Sequence, residues 1–101
     1  MASSKEFVQS IVALGGENCR VRPMMGEYVL YYREKVVGDI CDDRLLVKVT
    51  PASVQSMSEP VYELPYPGAK PMLRVHRLEP TFLQELFENM YDELPAPKKR
   101  K

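Results

Sequence analysis

Arg22-Pro23-Met24-Met25-Gly26-Glu27-Tyr28-Val29-Leu30-Tyr31-Tyr32 decides how this chain folds. Its second half alternates Tyr28, Leu30 and Tyr32 with Val29 and Tyr31, the period of a pleated strand. Gly26 supplies a turn or bulge before it. Pro23 marks the end or the edge of a shorter strand over Cys19–Arg22. Downstream, Val36-Val37-Gly38-Asp39-Ile40-Cys41 and Asp42-Asp43-Arg44-Leu45-Leu46-Val47-Lys48 extend the run. The four segments read as successive antiparallel strands.

Register follows from the turns. Asp42-Asp43 tolerates left-handed dihedrals and suits a two-residue hairpin loop. Counting back pairs Ile40 with Leu45, Gly38 with Val47 and Val36 with Val49 on one face. The other face carries Asp39 and Lys48 as diagonal neighbours, an exposed ion pair worth under about 1 kcal/mol. The preceding loop has two readings. A two-residue loop at Glu34-Lys35 buries Val29 and Tyr31; a three-residue loop at Arg33–Lys35 buries Tyr28, Leu30 and Tyr32. A one-residue slip flips the whole strand, and the more apolar set selects three residues.

Working outward, Ser3-x-x-Glu6 is a capping-box pattern before Phe7, Val8, Ile11, Val12 and Leu14. It predicts a helix from about Lys5 to Leu14, stopped by Gly15-Gly16. Thr50-Pro51 opens a short helix to Met57, apolar at Ala52, Val54 and Met57. Val61–Leu64 is a weak strand, Pro65–Gly68 a turn, and Met72–His76 a last strand. Pro80 opens a helix whose Phe82, Leu83, Leu86, Phe87, Met90, Tyr91 and Leu94 form one apolar band. That band must dock on the chain's own sheet or on a partner, because each fully buried side chain contributes roughly 1.5–3 kcal/mol before entropy costs. The sum is an α+β fold. One domain, residues 1–94, has an antiparallel sheet of about four to six strands packed with N-terminal, short middle and C-terminal helices. Residues 95–101 are expected to form a basic flexible tail.

The 101 residues suit a single domain able to bury its own core. With 14 basic and 14 acidic residues the net charge is zero, which argues against a broadly electropositive surface. Cys19 and Cys41 fall at opposite ends of the expected sheet, beyond the roughly 7 Å that a disulfide tolerates, so both thiols are expected free. Free thiols point to a reducing, cytoplasmic setting. No apolar run approaches the ~20 residues of a membrane span, so no membrane partner is expected.

The ordered combination resembles the N-terminal domain family of TfoX, also called Sxy, a bacterial regulator of natural competence. Four parts carry the resemblance. They are the initial helix, Pro23-Met24-Met25-Gly26-Glu27-Tyr28, Asp42-Asp43-Arg44-Leu45-Leu46-Val47-Lys48, and the late apolar helix. Leu94-Pro95-Ala96-Pro97-Lys98-Lys99 is similar to the close of small standalone members. The chain departs at Met25, where many members carry an aromatic, and at Glu34, where many carry glycine. It also ends where longer regulators continue into a second domain, so activities needing that domain are not implied. The resemblance implies a small α+β fold and a regulatory or protein-binding role. It brings no catalytic residues.

Candidate chemistry is sparse. His76 is the sole histidine; as a catalytic base it would need Cys41, Cys19 or Tyr66 as nucleophile and Glu63 or Glu79 as orienting acid. Its plain reading is a strand-end residue. Zinc spacing, a calcium loop and a phosphate-cradling glycine loop are all missing, so no metal or cofactor is expected. Tyr28, Tyr31 and Tyr32 beside Arg20, Arg22 and Arg33 suggest base stacking, but alternation divides the rings between two faces. The run Lys98, Lys99, Arg100, Lys101 is the candidate polyanion-binding site. Met24, Met25, Tyr66, Pro67 and Lys70 are the candidate partner-binding residues, on adaptable methionines and a proline-flanked aromatic loop. The favoured reading is a non-enzymatic module that engages an unidentified regulatory protein or a second copy of itself. The alternatives are nucleic-acid binding and a small enzyme centred on His76.

Overall fold

Ser4 Oγ accepts a hydrogen bond from the Phe7 amide and opens helix α1, Lys5–Gly15. The cap is therefore Ser4, one residue after the start of the Ser3 box. The structure, a computed structural model, describes residues 4–24 and 27–95. Ser3, Met25, Gly26 and the Lys98–Lys101 run lie outside the described residues. Val8 and Ile11 bury the inner face of α1, and Gly16, at φ 91°, turns the chain out of it.

The strands are β1 (Cys19–Met24), β2 (Glu27–Tyr32), β3 (Lys35–Cys41), β4 (Arg44–Val47), β5 (Tyr62–Glu63) and β6 (Met72–Arg74). They form one antiparallel sheet in the order β1-β2-β3-β4-β6-β5. Helix α2 (Pro51–Gln55) follows β4, and helix α3 (Pro80–Tyr91) follows β6. Thr50 caps α2 through a reciprocal pair with Ser53, and Pro51 takes the first helical position. Pro23 is accommodated in β1 because β1 is an edge strand.

Asp42 and Asp43, at φ 52° and 54°, make the two-residue turn, and Ile40–Leu45 and Gly38–Val47 pair as expected. The β2–β3 loop differs from expectation. Arg33 and Glu34, at φ 50° and 71°, form a two-residue turn that pairs Tyr32 with Lys35. One residue, Val37, is then unpaired between Tyr31–Val36 and Leu30–Gly38. This bulge restores beyond it the register that a three-residue loop would impose. Leu30 and Tyr32 therefore face the core, with Tyr28 partly buried beside them. Val37, not Val36, joins Ile40 as a core side chain of β3, and the expected Val36–Val49 pair does not form.

Against this face lie the helices. Leu83, Leu86, Phe87 and Met90 of α3, with Leu94 beyond it, are buried against Ile11, Leu30, Ile40, Leu45, Val47 and Leu73. Phe82 and Tyr91 pack at the rim. The C-terminal helix thus spends its apolar band on its own sheet, and that band no longer argues for self-association. No described helix is long and apolar enough to cross a membrane.

Candidate functional site

The second face of the sheet is not the open, charged surface that alternation suggested. Leu46 is fully buried there, and Val29 and Cys41 nearly so. The cover is the segment from Leu64 to Pro71 that links β5 to β6. Cys41 Sγ donates to the Pro65 carbonyl at 3.5 Å, and Pro65 is buried. Arg44 donates to the Leu64 carbonyl at 3.5 Å. Ala69 N–H closes a turn on the Tyr66 carbonyl, with Gly68 at φ 88°. In this way Tyr66 is held out, 52 % exposed, on a fixed loop.

Beneath the loop runs a cleft of about 490 Å³. Val49, Tyr66 and Met72 give it apolar walls, and Asp39, Lys48 and Lys70 supply charge. Asp39 is half-buried; burial raises its carboxyl above the usual range, partly offset by Lys48. No 4 Å ion pair forms between those two among the described residues. Of the five candidate partner-binding residues, the structure brings Tyr66 and Lys70 into this cleft. Pro67 is exposed on the same loop, and Met24 sits exposed on edge strand β1, away from the lining.

Behind the loop is a charge knot. Glu63 accepts from Arg44 at 2.7 Å and lies 3.3 Å from Arg74, tying β4, β5 and β6 together. The Arg44 hydrogen bond, with Arg74 beside it, holds the Glu63 carboxyl below its ordinary range. No sequence pattern announced this, since the three residues meet only through the β4-β6-β5 order. The buried outer face did have a signal: Leu45-Leu46-Val47 is continuously apolar, as a strand covered on both sides should be.

His76 lines a separate cleft of about 390 Å³ with Met57, Val61, Arg77 and Phe82. None of Cys19, Cys41, Tyr66, Glu63 or Glu79 lines that cleft. Cys41 is buried under Pro65, and Cys19 is buried in the core, its thiol pushed up to about 11. Glu79 accepts from Arg77 at 3.0 Å. No group of three His, Cys, Asp or Glu side chains among the described residues could hold a metal ion.

Two of the three candidate arginines, Arg20 and Arg33, are engaged within the chain. Arg20 stacks on Tyr31 at 4.4 Å and pairs with Glu34 at 2.7 Å. Arg33 pairs with Glu88 at 3.3 Å and lies over Tyr91. Tyr32 faces the core, so it cannot stack a base.

No family model and no solved structure matches this chain. A curated relative does: an uncharacterized 12.7 kDa protein in the trpE 5′ region of Spirochaeta aurantia. The two are 40 % identical over 105 residues, covering all of this chain and 91 % of the relative. At that identity and coverage, this chain belongs to the same family as the Spirochaeta aurantia protein.

Proposed function

We propose that this chain is a non-enzymatic interaction module of the kind the TfoX N-terminal domain represents, and that it binds a regulatory protein at the Tyr66 cleft. The observation that carries this reading is the half-exposed Tyr66 ring, set beside exposed Val49 on an anchored loop. An aromatic side chain fixed at a cleft edge offers much apolar contact area for little ordering cost. Lys48 and Lys70 against the single Asp39 favour a partner segment that brings an apolar side chain with a neighbouring carboxylate.

The test is affinity capture from the source cell with the full chain and with the Tyr66→Ala/Lys70→Glu double variant. Both side chains stand outside the core, so the variant should fold. A protein retained by the native chain and lost from the variant supports the reading. An identical retained set overturns it.

A further inference from the structure

The two edges of the sheet are built differently. Edge β1 carries Pro23 within its ladder and exposed Arg20 and Arg22, features that blunt strand addition. Edge β5 is short, Tyr62–Glu63, and lies between Pro60 and Pro65, but it carries no proline or arginine at its centre. Val61, Tyr62 and Leu64 are 37 %, 53 % and 46 % exposed, apolar residues on an edge that no strand among the described residues pairs.

The backbone at that edge has a definite direction. Tyr62 pairs with Leu73, and Arg74 N–H donates to the Val61 carbonyl at 2.8 Å. In an antiparallel ladder that makes Tyr62–Leu73 a non-hydrogen-bonded pair. The N–H and C=O of Tyr62 therefore both point away from β6, toward solvent.

We infer that β5 is a self-pairing edge: two copies of this chain join antiparallel about Tyr62 and continue the sheet across a twofold axis. Centred there, each Tyr62 exchanges N–H···O=C bonds with Tyr62 of the second copy, and the two rings lie side by side. The same register sets Pro60 opposite Leu64 of the second copy. Pro60 has no N–H to give, but the Leu64 carbonyl already accepts from Arg44 within its own chain. The missing donor leaves no acceptor orphaned.

Charge favours the same occupant. Glu63, the charged residue of β5, is already held by Arg44 and Arg74. Two identical edges then meet without bare like charges, whereas a strongly charged partner strand would find no counter-charge on β5. Because β1 is blunted, pairing closes at two copies instead of growing into a filament.

The experiment is sedimentation velocity with light scattering on the full chain at high micromolar concentration, beside two variants. The native chain should run at twice the mass of one chain. Tyr62→Pro removes the outward N–H while sparing the inward Val61 and Glu63 bonds, and should run as a monomer. Tyr62→Cys should form a disulfide-linked dimer under mild oxidation much faster than Leu78→Cys, an exposed control away from the seam. A native chain that stays monomeric overturns the inference. So does a dimer that survives Tyr62→Pro, or equal cross-linking of the two cysteine variants.

Discussion

The Tyr32 hydroxyl on β2 donates to Glu88 Oε1 on α3 at 2.6 Å, joining residues 56 positions apart. Tyr32 also packs its ring on Phe87 at 5.7 Å and edge-on to Tyr91 at 6.2 Å. One side chain thus fixes where the C-terminal helix sits along the sheet. Its partner Glu88 is half exposed and also meets Arg33. Tyr32→Phe should therefore lose about 1 kcal/mol, the net worth of the hydrogen bond alone. Tyr32→Ala removes the ring contacts too and should cost roughly 3–5 kcal/mol. Urea titrations of the three proteins check both; equal losses in the two variants would mean that the bond, and not the ring, does the holding.

Gly15 closes α1 against β1. A Cβ there would run into Cys19 Sγ, and would lie 3.1 Å from Cys19 Cβ and 3.3 Å from Phe87 Cε2. The position is buried, so neither neighbour can swing into solvent. Gly15→Ala should lower stability by about 1–3 kcal/mol, the range for overpacking a tight core. Cys19→Ala removes the clashing sulfur, so the double variant should recover part of that loss beyond additivity. A thermal-melt double-mutant cycle measures the coupling, and a value near zero would show that the helix end simply shifts.

How much of this was legible in the residues depends on how local the cause was. Asp42-Asp43, Thr50-Pro51 and Pro80 act within a few positions, and the elements they bound appear where expected. The Tyr28, Leu30, Tyr32 face was also legible, because burial selects it whatever the turn does. The way the chain achieves that face was not. Arg33-Glu34 takes two left-handed residues without a glycine, and the bulge at Val37 then repairs the register. That trade of a tight turn against a bulge is invisible to alternation counted from one end. For the site, composition singles out Tyr66 and Lys70, which line one cleft, whereas Asp39 and Val49 enter it through a loop folding over β3 and β4. Such cover depends on tertiary contacts such as Cys41 to Pro65, which sequence spacing does not encode.

Both cysteines should be inert in the folded chain. Burial pushes the Cys19 thiol up to about 11, and it also raises that of Cys41, with Arg44 opposing. Little reactive thiolate therefore exists near neutrality. Ellman's reagent should label neither thiol appreciably in buffer, and both in denaturant. Rapid labelling of one thiol in buffer would reveal local opening, either of the 64–71 loop over Cys41 or of the α1–β1 corner around Cys19.

Glu63 and Asp39 should give opposite pH signatures although both are carboxylates on the same sheet. Arg44 and Arg74 lower the Glu63 pKa in the folded state. Its stabilisation is thus present above the ordinary glutamate value of 4.5 and is lost as pH falls through the lower folded value. Burial raises the Asp39 pKa above 3.8, with Lys48 only partly compensating. The folded state therefore holds that proton more tightly, and ionising Asp39 as pH rises through its folded value costs stability. Glu63→Gln should melt lower than the native chain at neutral pH, and Asp39→Asn should melt higher. Both differences should shrink in acid, below the ordinary carboxylate range. Melting curves from neutral to acidic pH test the pair together. A lower melting temperature for Asp39→Asn at neutral pH would mean that Lys48 outweighs burial at the floor of the Tyr66 cleft.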